Sequence, residues 1–202
     1  MSDISLEPEA PREKWNRRYS ETGLVPFPDR PAEWLVENRS TLTALTGRRA
    51  LDVACGDGRN ALYLAQLGFS VVAIDVSDVV ITSLREAATE RGLAIDGRQV
   101  DLEHEPLPDE RFDVIVQINY LQRDLFGRLA ASLLPRGILI VETVTRSHVE
   151  ELGREFDPRF VLDHNELLRS FPDLHVVHYR EGITERSDRP RAVASIVAER
   201  RS

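Results

Sequence analysis

Residues 49–75 read RALDVACGDGRNALYLAQLGFSVVAID: an apolar run, a glycine turn, an amphipathic segment, a second apolar run and a carboxylate. Short apolar runs bounded by glycine suit strands, and Leu62, Leu64, Ala65 and Leu67 between them offer a helix an apolar face. The stretch therefore predicts strand, loop, helix and strand, closed by Asp75. Gly56 and Gly58 stand where the chain turns out of the first strand, and a residue without Cβ lets a ligand lie against the backbone. Asp75 follows about 20 residues later at the carboxyl end of the second strand, where a carboxylate accepts both hydroxyls of a ribose. A nucleoside-containing cofactor is the first expectation.

Charge narrows the nucleoside. A dinucleotide site offers helix-terminal N–H groups to a pyrophosphate and reads GxGxxG. Here the third glycine position is Ala61, itself a tolerated substitute, so the glycine count decides nothing. Asp52 before the turn and Asp57 within it decide more, because two carboxylates beside a doubly negative pyrophosphate cost several kcal/mol unless paired. S-adenosyl-L-methionine, with an ammonium and a sulfonium, has the opposite sign. An acidic residue followed by xxCGxGxxA, standing here as Asp52, Cys55, Gly56, Gly58 and Ala61, resembles the first motif of the class I S-adenosylmethionine-dependent methyltransferases. The resemblance implies a cofactor site that includes Asp52, Ala54, Cys55, Gly56, Gly58, Asn60, Asp75 and Val76. It further implies that Asp101 takes the exocyclic amine of adenine beside the Leu102 N–H, the alternative being an ordinary turn residue at a strand end. S-adenosyl-L-homocysteine is then the product.

The chain has 202 residues, 42% of them hydrophobic, enough for one well-buried core and short for two ordinary domains. We expect a tail with lid or packing helices over residues 1–45 and one globular cofactor-binding unit over residues 46–202. A net charge of −8 opposes phosphate-rich partners, since a nucleic-acid binder normally presents a basic face. Cys55 is the one cysteine, which excludes an internal disulfide and a multi-cysteine zinc site and suits a reducing, cytoplasmic compartment. The five histidines, at positions 104, 148, 164, 175 and 178, lack ligand spacing, and no metal is expected. No signal peptide or bilayer-length apolar run appears. The expectation is a soluble monomer or homodimer acting on a small molecule, with no membrane or nucleic-acid partner.

Outward from the motif, residues 1–11 read as a disordered tail, and residues 13–21, EKWNRRYSE, as a short helix with Trp15 and Tyr19 one turn apart. Either this helix staples the chain to the domain or it covers the cofactor. Trp15, Arg18 and Tyr19 form a WxxRY segment similar to one that precedes the core and helps cover the cofactor in tellurite-resistance-type methyltransferases. Residues 25–31, with three prolines, are an irregular connector. A helix is predicted over 32–45 with Trp34, Leu35, Leu42 and Leu45 buried, then strands over 50–54 and 70–74 about a helix over 60–67. Ser77 and Asp78 cap a helix over 80–91 that Gly92 ends. A weaker strand over 93–100 delivers Asp101, residues 103–111 are a proline-rich connector, and residues 112–118, FDVIVQI, are a strand buried on both faces. Asp113, in an FDxI segment similar to that of the same enzymes, is structural. A helix over 120–134, a turn at Pro135, Arg136 and Gly137, a strand over 138–141 and a short helix over 165–171 follow. Residues 175–181 and 192–199 alternate as an antiparallel pair joined by a polar loop over 182–191. Alternating strand and helix makes a doubly wound, Rossmann-like α/β sheet with helices on both faces and the ligand at the carboxyl ends of the strands. The closing hairpin sets the methyltransferase order 3-2-1-4-5-7-6, last strand antiparallel, apart from a dinucleotide-binding sheet.

The expected function is transfer of a methyl group from S-adenosyl-L-methionine to a small molecule by in-line displacement. The protein's part is chiefly to hold donor and nucleophile together in a dry site; a catalytic base is not strictly required. The backbone leaving the fourth strand at Gln117 to Asn119 is placed to contact the cofactor. Tyr120 and Arg123, three apart at a helix start, share a face, and the forked donors of Arg123 suit a planar or oxyanionic acceptor; the alternative is that Arg123 pairs with a carboxylate such as Glu142. Glu142, His148 and His164 are the other acceptor-site candidates, a histidine being a possible base. From the resemblance, a metalloid oxyanion or a small thiol is a candidate acceptor. Two rival classes are a non-enzymatic S-adenosylmethionine-binding regulator, which turnover excludes, and an NAD-dependent oxidoreductase, which NAD binding reveals.

Overall fold

FDVIVQI is apolar along almost its whole length, so it has no face to offer water, and the fold sets it in the middle of a sheet covered on both sides. The computed structural model describes residues 9–21, 30–184 and 190–201. Most of the tail and connector expected over 1–11 and 25–31, and the middle of the loop over 182–191, lie outside the described residues. The sheet has seven strands: β1 (Arg49–Val53), β2 (Ser70–Asp75), β3 (Ile95–Gln99), β4 (Phe112–Ile118), β5 (Leu133–Val144), β6 (His175–Thr184) and β7 (Arg191–Glu199). Their order is β3-β2-β1-β4-β5-β7-β6. The first five run parallel, and β7 is antiparallel to both β5 and β6. The expected fold class and strand order are borne out.

Eight helices lie in the described chain: α1 (Pro11–Glu21), α2 (Glu33–Glu37), α3 (Arg39–Ala44), α4 (Arg59–Gln66), α5 (Asp78–Arg91), α6 (Phe126–Ala131), α7 (Ser147–Glu150) and α8 (Glu166–Arg169). Alternation along β4 divides the core. Val114 and Val116 join Leu35, Leu42, Leu64 and Leu84 on one face, and Ile115 joins Leu125, Leu129, Leu167 and Phe171 on the other. No described helix is long and apolar enough to cross a membrane.

Three expectations are corrected. The helix over 32–45 is two helices, because Asn38 Nδ2 takes the Trp34 carbonyl at 2.8 Å, a side chain competing with the helical ladder. The helix over 120–134 shrinks to a 3₁₀ turn at Arg123–Leu125 and the six residues of α6. Asn119 adopts a left-handed φ of 60°, and Gln117 Nε2 captures the Tyr120 carbonyl at 2.9 Å, so the chain leaves β4 irregularly. The strand over 138–141 starts at Leu133, and the turn at Pro135, Arg136 and Gly137 survives as a bulge within it, with Arg136 at φ 64° and a register shift opposite Phe112 and Val114.

Asp113 is structural as expected: its Oδ2 accepts the Arg49 N–H at 2.9 Å, in space that a Cβ on Gly47 would fill. Trp34 ties α2 to the far edge of the sheet. It is buried, its Nε1 donates to the Ile196 carbonyl at 3.3 Å, and the Arg180 guanidinium lies 4.5 Å from its ring centroid. Trp34→Ala should cost about 3–5 kcal/mol in urea denaturation and Trp34→Phe markedly less. A loss below about 1 kcal/mol for the alanine variant would show that residues 30–45 are not part of the cooperative core.

Candidate functional site

The chain leaving β1 alternates into left-handed backbone at Ala54 (φ 53°), Gly56 (φ 53°) and Gly58 (φ 76°). Cys55 N–H donates to the Ile74 carbonyl at 2.9 Å and Gly58 N–H to that of Cys55 at 3.0 Å, closing the turn. The two glycines serve different ends. A Cβ on Gly56 would stand 3.0 Å from Tyr19 Oη, whereas one on Gly58 would meet Leu84 Cδ1 at 2.5 Å. Gly56 thus keeps backbone open to a ligand, and Gly58 lets α4 start against α5. Across the turn, Asp75 accepts the Gly56 N–H on Oδ2 at 2.9 Å and the Ser77 N–H on Oδ1 at 3.0 Å. Burial raises the Asp75 pKa, against the pull of these two bonds.

These groups open on a cavity of about 430 Å3 at the carboxyl edge of the sheet, within the range of small-molecule sites. Of the residues singled out by sequence, Trp15, Arg18, Tyr19, Ala54, Cys55, Gly56, Asn60, Asp75, Val76, Asp101, Leu102, Asn119 and Tyr120 line it. Asn60 is also tied inward, its Oδ1 accepting the Ala32 N–H at 2.9 Å. Asp101 is both a turn residue and a lining residue: Oδ1 accepts the Glu103 N–H, and His104 Nδ1 lies 3.0 Å from Oδ2, which raises the His104 pKa. Tyr120 Oη donates to Gln122 Oε1 at 2.6 Å.

α1 forms the roof. None of its residues is buried, so it is not stapled into the core. It is latched by polar contacts instead: Arg12 Nε and Asn16 Nδ2 both donate to Asp78 Oδ1, at 2.9 and 2.8 Å, and Ser77 Oγ donates to Asn16 Oδ1 at 2.6 Å. Trp15 and Tyr19 stack at 5.7 Å, with Arg18 5.2 Å from the Trp15 centroid. The Tyr19 hydroxyl lies over the glycine turn, 3.0 Å from where a Cβ on Gly56 would stand, and burial, then Asp75, Cys55 and Asp57, raise its pKa.

The remaining sequence candidates do not line the cavity. Gln117 is fully buried and holds the Tyr120 carbonyl; its Oε1 has no partner among the described residues. Arg123 is paired, with Glu166 rather than Glu142, through Nε at 2.5 Å and Nη2 at 2.9 Å, and it also donates to the Arg159 and Val161 carbonyls. Glu142 is buried and accepts from Ser195 Oγ at 2.6 Å and Arg180 Nη2 at 3.1 Å. His148 is buried, its Nδ1 accepting the Ala192 N–H at 3.4 Å. Its pKa is lowered by burial and then by Arg191 and Arg154, so the ring is neutral. His164 is exposed, Nδ1 lying 3.2 Å from Glu181 Oε1. Conversely, Pro11, Arg59, Val100, Glu103, Ile118, Phe156 and Arg191 line the cavity without having been singled out. Arg59, Val100, Glu103 and Ile118 adjoin motif residues, a signal within reach; Phe156 and Arg191 have no such neighbour.

Asp52 requires a correction of the charge argument. It is 1% exposed, its Oδ2 has no partner among the described residues, and burial pushes its pKa up to about 8 against the pull of the Ala61 N–H. Near neutral pH it is largely protonated, and the acidity of the loop rests on Asp57, which does line the cavity. The folded chain therefore holds the Asp52 proton more tightly than the unfolded chain, where the ordinary value is 3.8. The resulting stability is full below about pH 4 and is lost as pH rises through about 8. Asp52→Asn, which cannot ionise, should gain stability relative to wild type steadily across that window and show a constant difference above it. Urea denaturation at a series of pH values measures this, and a difference independent of pH would show that Asp52 is ionised in the fold.

Residues 50–137 match a family described as a methyltransferase domain. A ubiquinone biosynthesis O-methyltransferase of Rhodopseudomonas palustris (strain BisB5) is 35% identical over 115 residues, which cover 54% of this chain and 45% of that one. The chain spans about half the length of the curated relatives it matches. TehB from Haemophilus influenzae superposes with a TM-score of 0.71 at 20% identity, over 93% of this chain and 67% of that one. The cyclase SpnF superposes with 0.68 at 21%, over 96% and 98%. At such identities the likeness is one of fold, and a cyclase among these structures shows that the fold alone does not name a reaction. The family implies S-adenosyl-L-methionine as cofactor, and the site fits it: Gly56 is open where a Cβ would strike Tyr19, and Asp57, Asp75 and Asp101 line the cavity with charge opposite to that of a sulfonium. Residues 50–137 are thus similar to a methyltransferase domain, and they lie in a sheet with the strand order expected of the class I S-adenosylmethionine-dependent enzymes.

Proposed function

We propose that the chain is an enzyme that moves the methyl group of S-adenosyl-L-methionine to a small nucleophile. The observation that carries this reading is Asp75. Each of its oxygens takes one backbone N–H, from Gly56 or Ser77, while the residue lines the cavity; a carboxylate has about four acceptor sites, so both oxygens keep capacity for ribose hydroxyls. Asp101 and Leu102 would take the adenine, Ala54, Cys55, Gly56 and Asn60 the amino-acid end, Val76 and Asn119 the walls between, and Trp15, Arg18 and Tyr19 the covering lid. Asp52, Gly58 and Gln117 hold these residues in place from behind. When bound, the cofactor supplies a methyl group already activated by its sulfonium. The chain contributes position and exclusion of water, which agrees with a cavity whose lining has no nucleophile–base pair.

The names of the curated relatives favour an oxygen nucleophile. A metalloid oxyanion or a thiol rests on the WxxRY resemblance. Net charge −8 disfavours a nucleic-acid partner and the single cysteine suits a cytoplasmic setting, with the chain taken as monomer or homodimer. Residues 1–45 are assigned to lid and packing, and 46–202 to the cofactor-binding unit.

S-adenosyl-L-methionine and S-adenosyl-L-homocysteine should bind and raise the melting temperature, and NAD should not; tighter calorimetric binding of NAD would end the methyltransferase reading. Asp75→Ala should weaken S-adenosyl-L-homocysteine at least about tenfold with the fold intact, since hydrogen bonds to a charged group contribute ~1.5–3 kcal/mol each. An unchanged dissociation constant would release Asp75 from the ribose. Turnover with any acceptor excludes a non-enzymatic regulator. Amides of Trp15 to Tyr19 should be protected from hydrogen exchange only when cofactor is present, and equally slow exchange in the empty protein would restore the staple reading.

A further inference from the structure

The cavity has two chemically different ends. Strand order puts the carboxyl ends of β3, β2 and β1 on one side and the end of β5 with the start of β7 on the other. Asp57, Asp75, Asp101 and Glu103 line the first side, and Arg191 opens β7 on the second. Arg191 is half-buried, and its Nη2 donates to Asn119 Oδ1 at 2.7 Å, leaving most of its five N–H groups for other partners. Burial, and then the like charges of Arg59 and Arg154, act against its charge, with Glu142 attracting it. That carboxylate already accepts from Ser195 and Arg180. The neighbouring His148 is neutral and adds no negative charge. Phe156, 42% exposed, lies against the His148 ring and lines the cavity. The Arg191 fork is thus held by a neutral amide rather than by Glu142, and an anionic ligand would offset the like charges that act on it. The forked donors of arginine match a carboxylate, and an aromatic ring beside them suits an apolar body.

We propose that the Arg191 end of the cavity receives the carboxylate of a small organic methyl acceptor, with Phe156 against the acceptor's apolar part. That the ligand is a methyl acceptor rests on the methyltransferase reading; that the site takes an organic anion does not. Benzoate and benzamide, nearly equal in shape and different in charge, separate the two. Both are titrated into the full chain by ligand-detected NMR, with and without S-adenosyl-L-homocysteine. Benzoate should bind at least about tenfold more tightly than benzamide, as expected for a charge-assisted pair. Arg191→Met should bring the two within about twofold, and Arg191→Lys should keep part of the preference by charge without the fork, with S-adenosyl-L-homocysteine binding of each variant measured alongside. Equal binding of the two probes, or no binding of benzoate to the wild-type chain, overturns the proposal without recourse to a variant. So does a preference that survives in folded Arg191→Met. If the wild-type chain prefers benzoate yet fails to bind S-adenosyl-L-homocysteine, the anion site stands and the methyltransferase reading is what fails.

Discussion

The Asp75 carboxylate, 6% exposed, takes one N–H from the β1 turn and one from the chain entering α5. Without those two bonds the buried charge would cost far more than it does, and without the carboxylate the Gly56 turn would lose the group that sets its position over the sheet. The same short stretch carries the next two functions. Ser77 caps α5 through the Val80 N–H, and Asp78 holds α1 through Arg12 and Asn16. Holding the glycine turn, capping α5 and latching α1 thus fall on residues within one turn of each other.

Burial sets which acids in this region are charged. Asp52 has one backbone partner and an orphaned oxygen, so its proton stays on to about pH 8. Asp78, exposed and held by Arg12 and Asn16, keeps its carboxyl far below the usual range. Two aspartates flanking the same strands therefore differ in charge at neutral pH, and the difference follows from solvation and partners rather than residue type. The acids that line the cavity are accordingly Asp57, Asp75, Asp101 and Glu103, beside Arg18, Arg59 and Arg191.

What was legible in the sequence is what local chain geometry enforces. Gly56 and Asp75 follow strands whose apolar pattern is strong and Asp101 a weaker one, and the strand ends converge wherever a parallel sheet forms. Arg123, Glu142 and His164 are held away from the cavity by partners, Glu166, Arg180, Ser195 and Glu181, that come from chain 17 to 53 residues away. No spacing rule reports a pairing of that range. The helix expected over 120–134 failed for a related reason: a buried amide at Gln117 outcompeted the helical ladder for the Tyr120 carbonyl. Arg191 and Phe156 were missed because each lies outside any periodic apolar pattern, Phe156 in the irregular chain after α7 and Arg191 at the start of β7, which the long return of β6 brings back to the cavity.

The domain match ends at residue 137, inside the bulge of β5. Everything up to there supplies the acidic side of the cavity and the glycine turn, which any class I relative needs for the same cofactor. Phe156, Arg191 and Arg154 lie beyond it, and Arg59 within it. A cofactor common to many enzymes constrains β1 to β4 tightly, because glycine turn, carboxylate and strand ends must all meet one rigid ligand. Loops on a fixed scaffold are where binding groups change most freely, and the ends of β5 and β7 are held by no group of the glycine turn, so the part of the chain that the family match does not reach is the part free to differ between relatives.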